Sequence, residues 1–245
     1  MGRQTSVIQI EGTVGNMTFY KSKDGYLVRQ KASSRVLKSD RTRENMQEFA
    51  RGTVGAKYIR TAFASIIKEM KDSFLVRRLN QEMAMIIKTD MVSPRGYRNL
   101  VDADIEQLQG FEFNSDKALS SVLKTPYTAS IDRATGIMKV EIEPFIPSKL
   151  IEKPEAATHF RYTIAGAMVN LGNGDHLTAQ NTSEELLLTN VPGEALSMEV
   201  QLPPASAQPL LLAFGISFSQ EVNGAYYPVG QGLHNAIALV AISGT

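Results

Sequence analysis

Three histidines (His159, His176 and His234) and three carboxylates (Asp132, Glu141 and Glu143) are the residues whose types and spacing bear most directly on chemistry. None of the histidines has a His or carboxylate at i+2 or i+4, the offsets that place two metal ligands on one face of a strand or helix. Glu141 and Glu143 stand two apart on a predicted strand, so both project from one face, with Asp132 across the preceding hairpin turn. Paired carboxylates held in a cleft can perform glycosidase or metal chemistry, which makes a carbohydrate-active β-sandwich one reading. The phosphate-binding loop, the His-Glu-x-x-His helix and the Gly-x-Ser-x-Gly elbow do not occur. With no cysteine, thiolate nucleophiles, thiolate metal sites and disulfides are excluded. The expectation is a non-enzymatic protein with no catalytic residue, no metal and no cofactor.

Charge carries more information than chemistry here. Residues 1–100 hold 19 Lys and Arg against 9 Asp and Glu, net +10, whereas residues 101–245 hold 7 against 16, net −9. The formal total of +1 hides two oppositely charged halves. Such a chain can attract copies of itself, or present its basic half to nucleic acid. Lys57, Arg60, Lys68 and Lys71 fall within about 80° of one another on a helical wheel, beside an apolar stripe. Arg29 and Lys31, followed by Arg35 and Lys38, extend the basic surface towards the N-terminus, and Phe19, Tyr20 and Tyr26 interleave with it. Phe19, Tyr20, Tyr26, Arg29, Lys31, Lys57, Arg60, Lys68 and Lys71 are the candidate contacts for assembly or for phosphate.

The elements that position them follow from periodicity. Ser6–Ile10, Met17–Ser22 and Tyr26–Lys31 alternate as strands, and Asp24-Gly25 signals a tight hairpin between the last two. Such a hairpin is marginal by itself and needs a sheet, a helix or a neighbouring subunit to cover it. Residues 32–40 read as a linker. Ser39-Asp40 can cap a helix starting near Arg41, and Ile59, Ala62, Phe63, Ile66, Ile67 and Met70 form one buried helical face. Gly52 and Gly55 either break that helix or admit a second backbone closely. Leu75, Leu79, Met83 and Ile86 give a second buried stripe, predicting a helical pair, and Val101–Gln109 a short helix ended by Gly110. Beyond Gly110 the period changes to 2. Short strands at Phe111–Phe113, Tyr127–Ile131, Ile137–Ile142, Phe160–Met168, Leu177–Gln180, Glu185–Leu188, Leu196–Gln201, Leu210–Glu221, Ala225–Val229 and Ala236–Ile242 are separated by turn residues. This predicts an α+β chain in three parts: a strand and hairpin arm over 1–38, a helical region over 39–110, and an antiparallel β-sandwich over 111–245.

Gly12-x-x-Gly15, Phe19-Tyr20-Lys21-x-Lys23-Asp24-Gly25-Tyr26-Leu27-x-Arg29-x-Lys31, Arg41-Thr42-Arg43-Glu44-Asn45 and Gln220-Glu221-Val222-Asn223-Gly224 together resemble an uncharacterised bacterial family of about this length. The resemblance implies that hairpin, helices and β-rich part recur as a unit, and it brings no activity and no site residue. With no apolar leader core and no run of about 18 apolar residues, a cytoplasmic protein, or a particle assembled in the cytoplasm, is expected, with no membrane contact. The leading expectation is a structural subunit that forms a homo-oligomer or polymer, such as a filament, tube or virion-like particle. A nucleic-acid-binding module is the alternative partner reading.

Overall fold

The computed structural model describes residues 2–5, 8–22, 25–31 and 39–244. The chain divides into two compact units, Met1–Asp40 and Arg41–Thr245. The first is a four-stranded antiparallel sheet of β1 (Gly2–Arg3), β2 (Gly12–Val14), β3 (Met17–Ser22) and β4 (Gly25–Gln30), in the order β1-β4-β3-β2. The expected hairpin is present: β3 and β4 pair from Met17↔Gln30 to Ser22↔Gly25, while Lys23 and Asp24 of its turn fall outside the described residues, as do 32–38 of the expected linker. The strand expected over Ser6–Ile10 is not seen in its described residues. Ser6 and Val7 lie outside the described residues, and Ile8, Gln9 and Ile10 are not strand. The Gln4 amide holds Ile10 instead, accepting from its N–H at 3.0 Å and donating to its carbonyl at 3.2 Å. A side chain satisfies there the backbone groups that a ladder partner would take.

The second unit begins with α1 (Asp40–Ala62), whose first residue closes the first unit, followed by α2 (Ala64–Ile67) and α3 (Leu75–Ile86). The expected apolar faces are the buried ones: Ile59, Ala62, Phe63 and Ile66 on one side, and Leu75, Leu79, Met83 and Ile86 on the other. The helix runs through both glycines. At Gly52 a β-carbon would sit 3.2 Å from the Met83 carbonyl and 3.3 Å from the Ala84 backbone, so the absent side chain lets α1 approach α3. At Phe63 the backbone leaves the helical region (φ −98°, ψ 19°), separating α1 from α2. The short helix expected near Val101–Gln109 is a single 3₁₀ turn, Ile105–Leu108.

Two single turns, α4 (Leu119–Val122) and α5 (Pro147–Leu150), flank β5 (Tyr127–Asp132) and β6 (Ile137–Ile142). The remaining strands are β7 (His159–Val169), β8 (His176–Thr182), β9 (Leu186–Leu187), β10 (Leu196–Gln201), β11 (Leu210–Val222), β12 (Ala225–Pro228) and β13 (Ala236–Ser243). All pairings are antiparallel, in a three-stranded sheet of order β10-β6-β5 and a six-stranded sheet of order β12-β11-β7-β8, with β13 also on β11 and β9 on β7. The chain is therefore α+β, with the predicted sandwich. Of the strands expected beyond Gly110, Phe111–Phe113 reduces to one bridge, Glu112↔Ala238.

Alternation along β7 and β11 sets the layers. Ala165, Ala167, Val169, Leu211 and Ala213 pack with the helices, while Phe160, Tyr162, Ile164, Leu212, Phe214 and Phe218 pack against the small sheet. The larger sheet is thus buried on both faces, which is why its central strands read as nearly unbroken apolar runs. In β13 the register shifts opposite Leu212 and Ala213, so Ile242 rejoins the helix-facing side with Ile237 and Leu239.

Candidate assembly interface

The N-terminal sheet is built almost entirely from exposed or half-buried residues: among the described residues 2–40, none is buried. Strand register sorts the candidate contacts onto two faces, because directly opposed residues project from the same side. Phe19 opposes Val28 and Lys21 opposes Tyr26, which with Met17 and Val14 make one face. Tyr20 opposes Leu27 and Thr18 opposes Arg29, which belong to the other. Phe19 and Tyr26 therefore share a surface that Tyr20 and Arg29 do not. On the first face Val14 and Met17 are 62% and 52% exposed, and Lys21 Nζ lies 5.5 Å from the Tyr26 ring centroid. Arg29 stands over the Tyr20 ring at 5.5 Å on the second. Lys31 follows β4, and its N–H donates to the Asn16 carbonyl at 2.6 Å. Sequence reading singled out the aromatic residues but passed over Val14 and Met17. The signal that would have found them is the two-residue alternation that puts them in line with Phe19.

The helical basic stripe is only partly assembled. Lys57 and Arg60 lie on α1, Lys68 directly follows α2, and Lys71 lies beyond both helices in irregular backbone. Lys57, Lys68 and Lys71 are exposed, whereas Arg60 is half-buried and its Nε has no hydrogen-bond partner among the described residues. The backbone break at Phe63 and the end of α2 interrupt the single helical wheel on which the four would align.

The acidic half supplies a flat, polar surface. The outward side of the small sheet carries Thr128, Ser130 and Asp132 on β5, Lys139 and Glu141 on β6, and Ser197 and Glu199 on β10. Three carboxylates stand there against one lysine, and Lys139 is already paired with Glu141 at 2.6 Å. Hydrogen bonds from the Thr135 hydroxyl and the Ala134 N–H hold the Asp132 carboxyl below the usual carboxylate range, committing it to the turn after β5. Glu143 is exposed just beyond β6. Asp132, Glu141 and Glu143 thus lie on a solvated strand face and at its margin. Among the described residues β5 and β10 are the edges of this sheet, and β5 pairs with β6 alone.

The histidines are dispersed. His159 is buried, with Nδ1 2.9 Å from the Thr158 hydroxyl and its ring 5.0 Å from that of Tyr226. His176 Nδ1 lies 3.0 Å from the Gly174 carbonyl. Among the described residues no three His, Asp or Glu side chains converge as a metal site, and no helix is long and apolar enough to cross a membrane. No protein-family model, curated protein or solved structure matches the chain.

Proposed function

We propose that the protein is a structural subunit that self-associates through its N-terminal sheet. The observation carrying this reading is a four-stranded sheet in which no described residue is buried, although one face presents Val14, Met17, Phe19 and Val28. Sheets gain independent stability by covering an apolar face, and exposed edge strands invite pairing with another chain. In the assembly the apolar face packs on a neighbouring copy, or an edge strand adds to a neighbour's sheet by main-chain hydrogen bonds. The outward side of the small sheet, with Asp132, Glu141 and Glu199, is the complementary surface for the basic arm, which carries Lys21, Arg29 and Lys31. A contact between two different surfaces of one chain closes into a ring or propagates as a filament, according to its rotation.

The test is multi-angle light scattering with negative-stain imaging of the intact chain across a salt series. Rings or polymers at low salt that shorten as salt rises are the expected outcome, because exposed charge pairs are screened. A strictly monomeric protein at high concentration and low salt overturns the reading.

A further inference from the structure

The helix-facing side of the large sheet changes character along its length. Where the helices cover it the residues are Ala165, Ala167, Val169, Leu211 and Ala213; farther along β7 and β11 the same side carries His159, Arg161, Thr163, Ser217 and Ser219. Four of these five are buried: His159, Thr163, Ser217 and Ser219. Buried polar groups are costly unless hydrogen-bonded, so this stretch of sheet must hold its polar side chains with specific partners. Three of them, Arg161, Ser217 and Ser219, line the floor of a cleft of about 570 Å³, whose walls come from Lys68 and Glu69 after α2, Tyr226 on β12 and the turn at Gln231.

Charge in the cleft is balanced. Lys68 and Arg161 are its cations, Glu69 and Glu185 its anions. Arg161 reaches Glu69 at 3.4 Å and the Ser217 hydroxyl at 3.2 Å, and Ser219 donates to Glu185 at 2.6 Å. Among the described residues, the Lys68 ammonium, the Gln231 side-chain amide and the Tyr226 hydroxyl have no hydrogen-bond partner within the chain, and the Tyr226 side chain is half exposed against the opening. With two cations against two anions, the cleft offers no net charge to attract an ionic ligand. A neutral ligand with several hydroxyls can instead accept from Arg161 and Lys68, donate to Glu69 and Glu185, and lay an apolar ring face on Tyr226.

We propose that this cleft binds a neutral polyhydroxylated ligand, a saccharide unit. The site is independent of the N-terminal sheet, so it stands or falls separately from self-association.

The experiment is an NMR chemical-shift titration of the intact protein with glucose, N-acetylglucosamine and cellobiose, run beside glutamate and glucose 6-phosphate. At least one neutral sugar is expected to shift resonances of Arg161, Ser219 and Tyr226 with little response to the two charged probes. Tyr226→Ala should weaken that binding about tenfold. Glu185→Gln, which keeps the side-chain shape, should weaken it as well, and Lys124→Gln, on an exposed position outside the cleft, should leave it unchanged. Circular dichroism checks that each variant is folded. The proposal is overturned if none of the three sugars shifts these resonances, if the charged probes bind equally well, or if folded Tyr226→Ala and Glu185→Gln both bind as the parent does.

Discussion

Lys21 and Tyr26 oppose each other across the β3–β4 hairpin, with the lysine Nζ 5.5 Å from the ring centroid, on the same side of the sheet as Phe19 and Val28. The cation covers one end of that apolar face and leaves Met17 and Val14 open at the other. The open apolar end therefore lies on one side of the sheet, and substitution can test its share in association.

Placing a charge on the open end should weaken association without unfolding the second unit. Met17→Asp removes an apolar side chain worth about 1.5–3 kcal/mol when fully buried, so the association constant should drop at least about tenfold. Thr13→Asp, on the opposite side of the sheet, should change it much less. Sedimentation velocity of the two variants at matched concentration measures the difference; equal effects would show that the interface is not confined to the Phe19 side.

Asp90 gives the acid limb of stability. It is fully buried after α3, and burial by itself raises its pKa. The N–H groups of Ser93 (2.9 Å), Asn99 (2.9 Å) and Val92 (2.8 Å) outweigh that and hold the carboxyl down to about 2, from an ordinary 3.8. Because the folded pKa lies below the unfolded one, the contribution is complete above about pH 4 and is lost as pH falls towards 2. Asp90→Asn should cost about 1–3 kcal/mol at neutral pH and flatten the stability profile between pH 4 and 2, as read by urea unfolding at a series of pH values.

Gly224 and Gly232 separate two costs that a glycine can avoid. Both have positive φ, 79° and 86°. Gly224, in the Asn223-Gly224 turn between β11 and β12, has open space where a β-carbon would go, whereas at Gly232 that atom would run into the Glu69 carbonyl oxygen. Gly224→Ala should cost about 1–2 kcal/mol, for backbone strain alone. Gly232→Ala should cost about 2–4 kcal/mol, since the Glu69 backbone must also move. Thermal unfolding of the two variants gives the comparison.

Local rules made much of the fold readable. Ile137–Ile142 and Leu196–Gln201 are strands over the very spans their alternation marks, and the Leu75, Leu79, Met83 and Ile86 stripe is the buried face of α3. These patterns depend on residues a few positions apart, whose spacing a strand or helix imposes directly. The rule failed where a side chain or a backbone break outside the pattern decided the conformation. Ile8–Ile10 alternates like a strand, yet Gln4 takes the Ile10 backbone, and the Lys57-to-Lys71 wheel assumes one straight helix through Phe63.

The sequence by itself determined the α+β layout, the hairpin and the opposition of a basic and an acidic half, because each follows from local periodicity or composition. Only the tertiary structure decided which side of the N-terminal sheet each aromatic residue occupies. It alone placed helices over one face of the large sheet, and gathered Arg161, Ser217, Ser219 and Glu185 with Glu69 around one cleft. Those residues are separated by up to about 150 positions along the chain. The register of β7 on β11 and the packing of helix on sheet bring them together, and both are fixed by burying apolar surface across the whole unit.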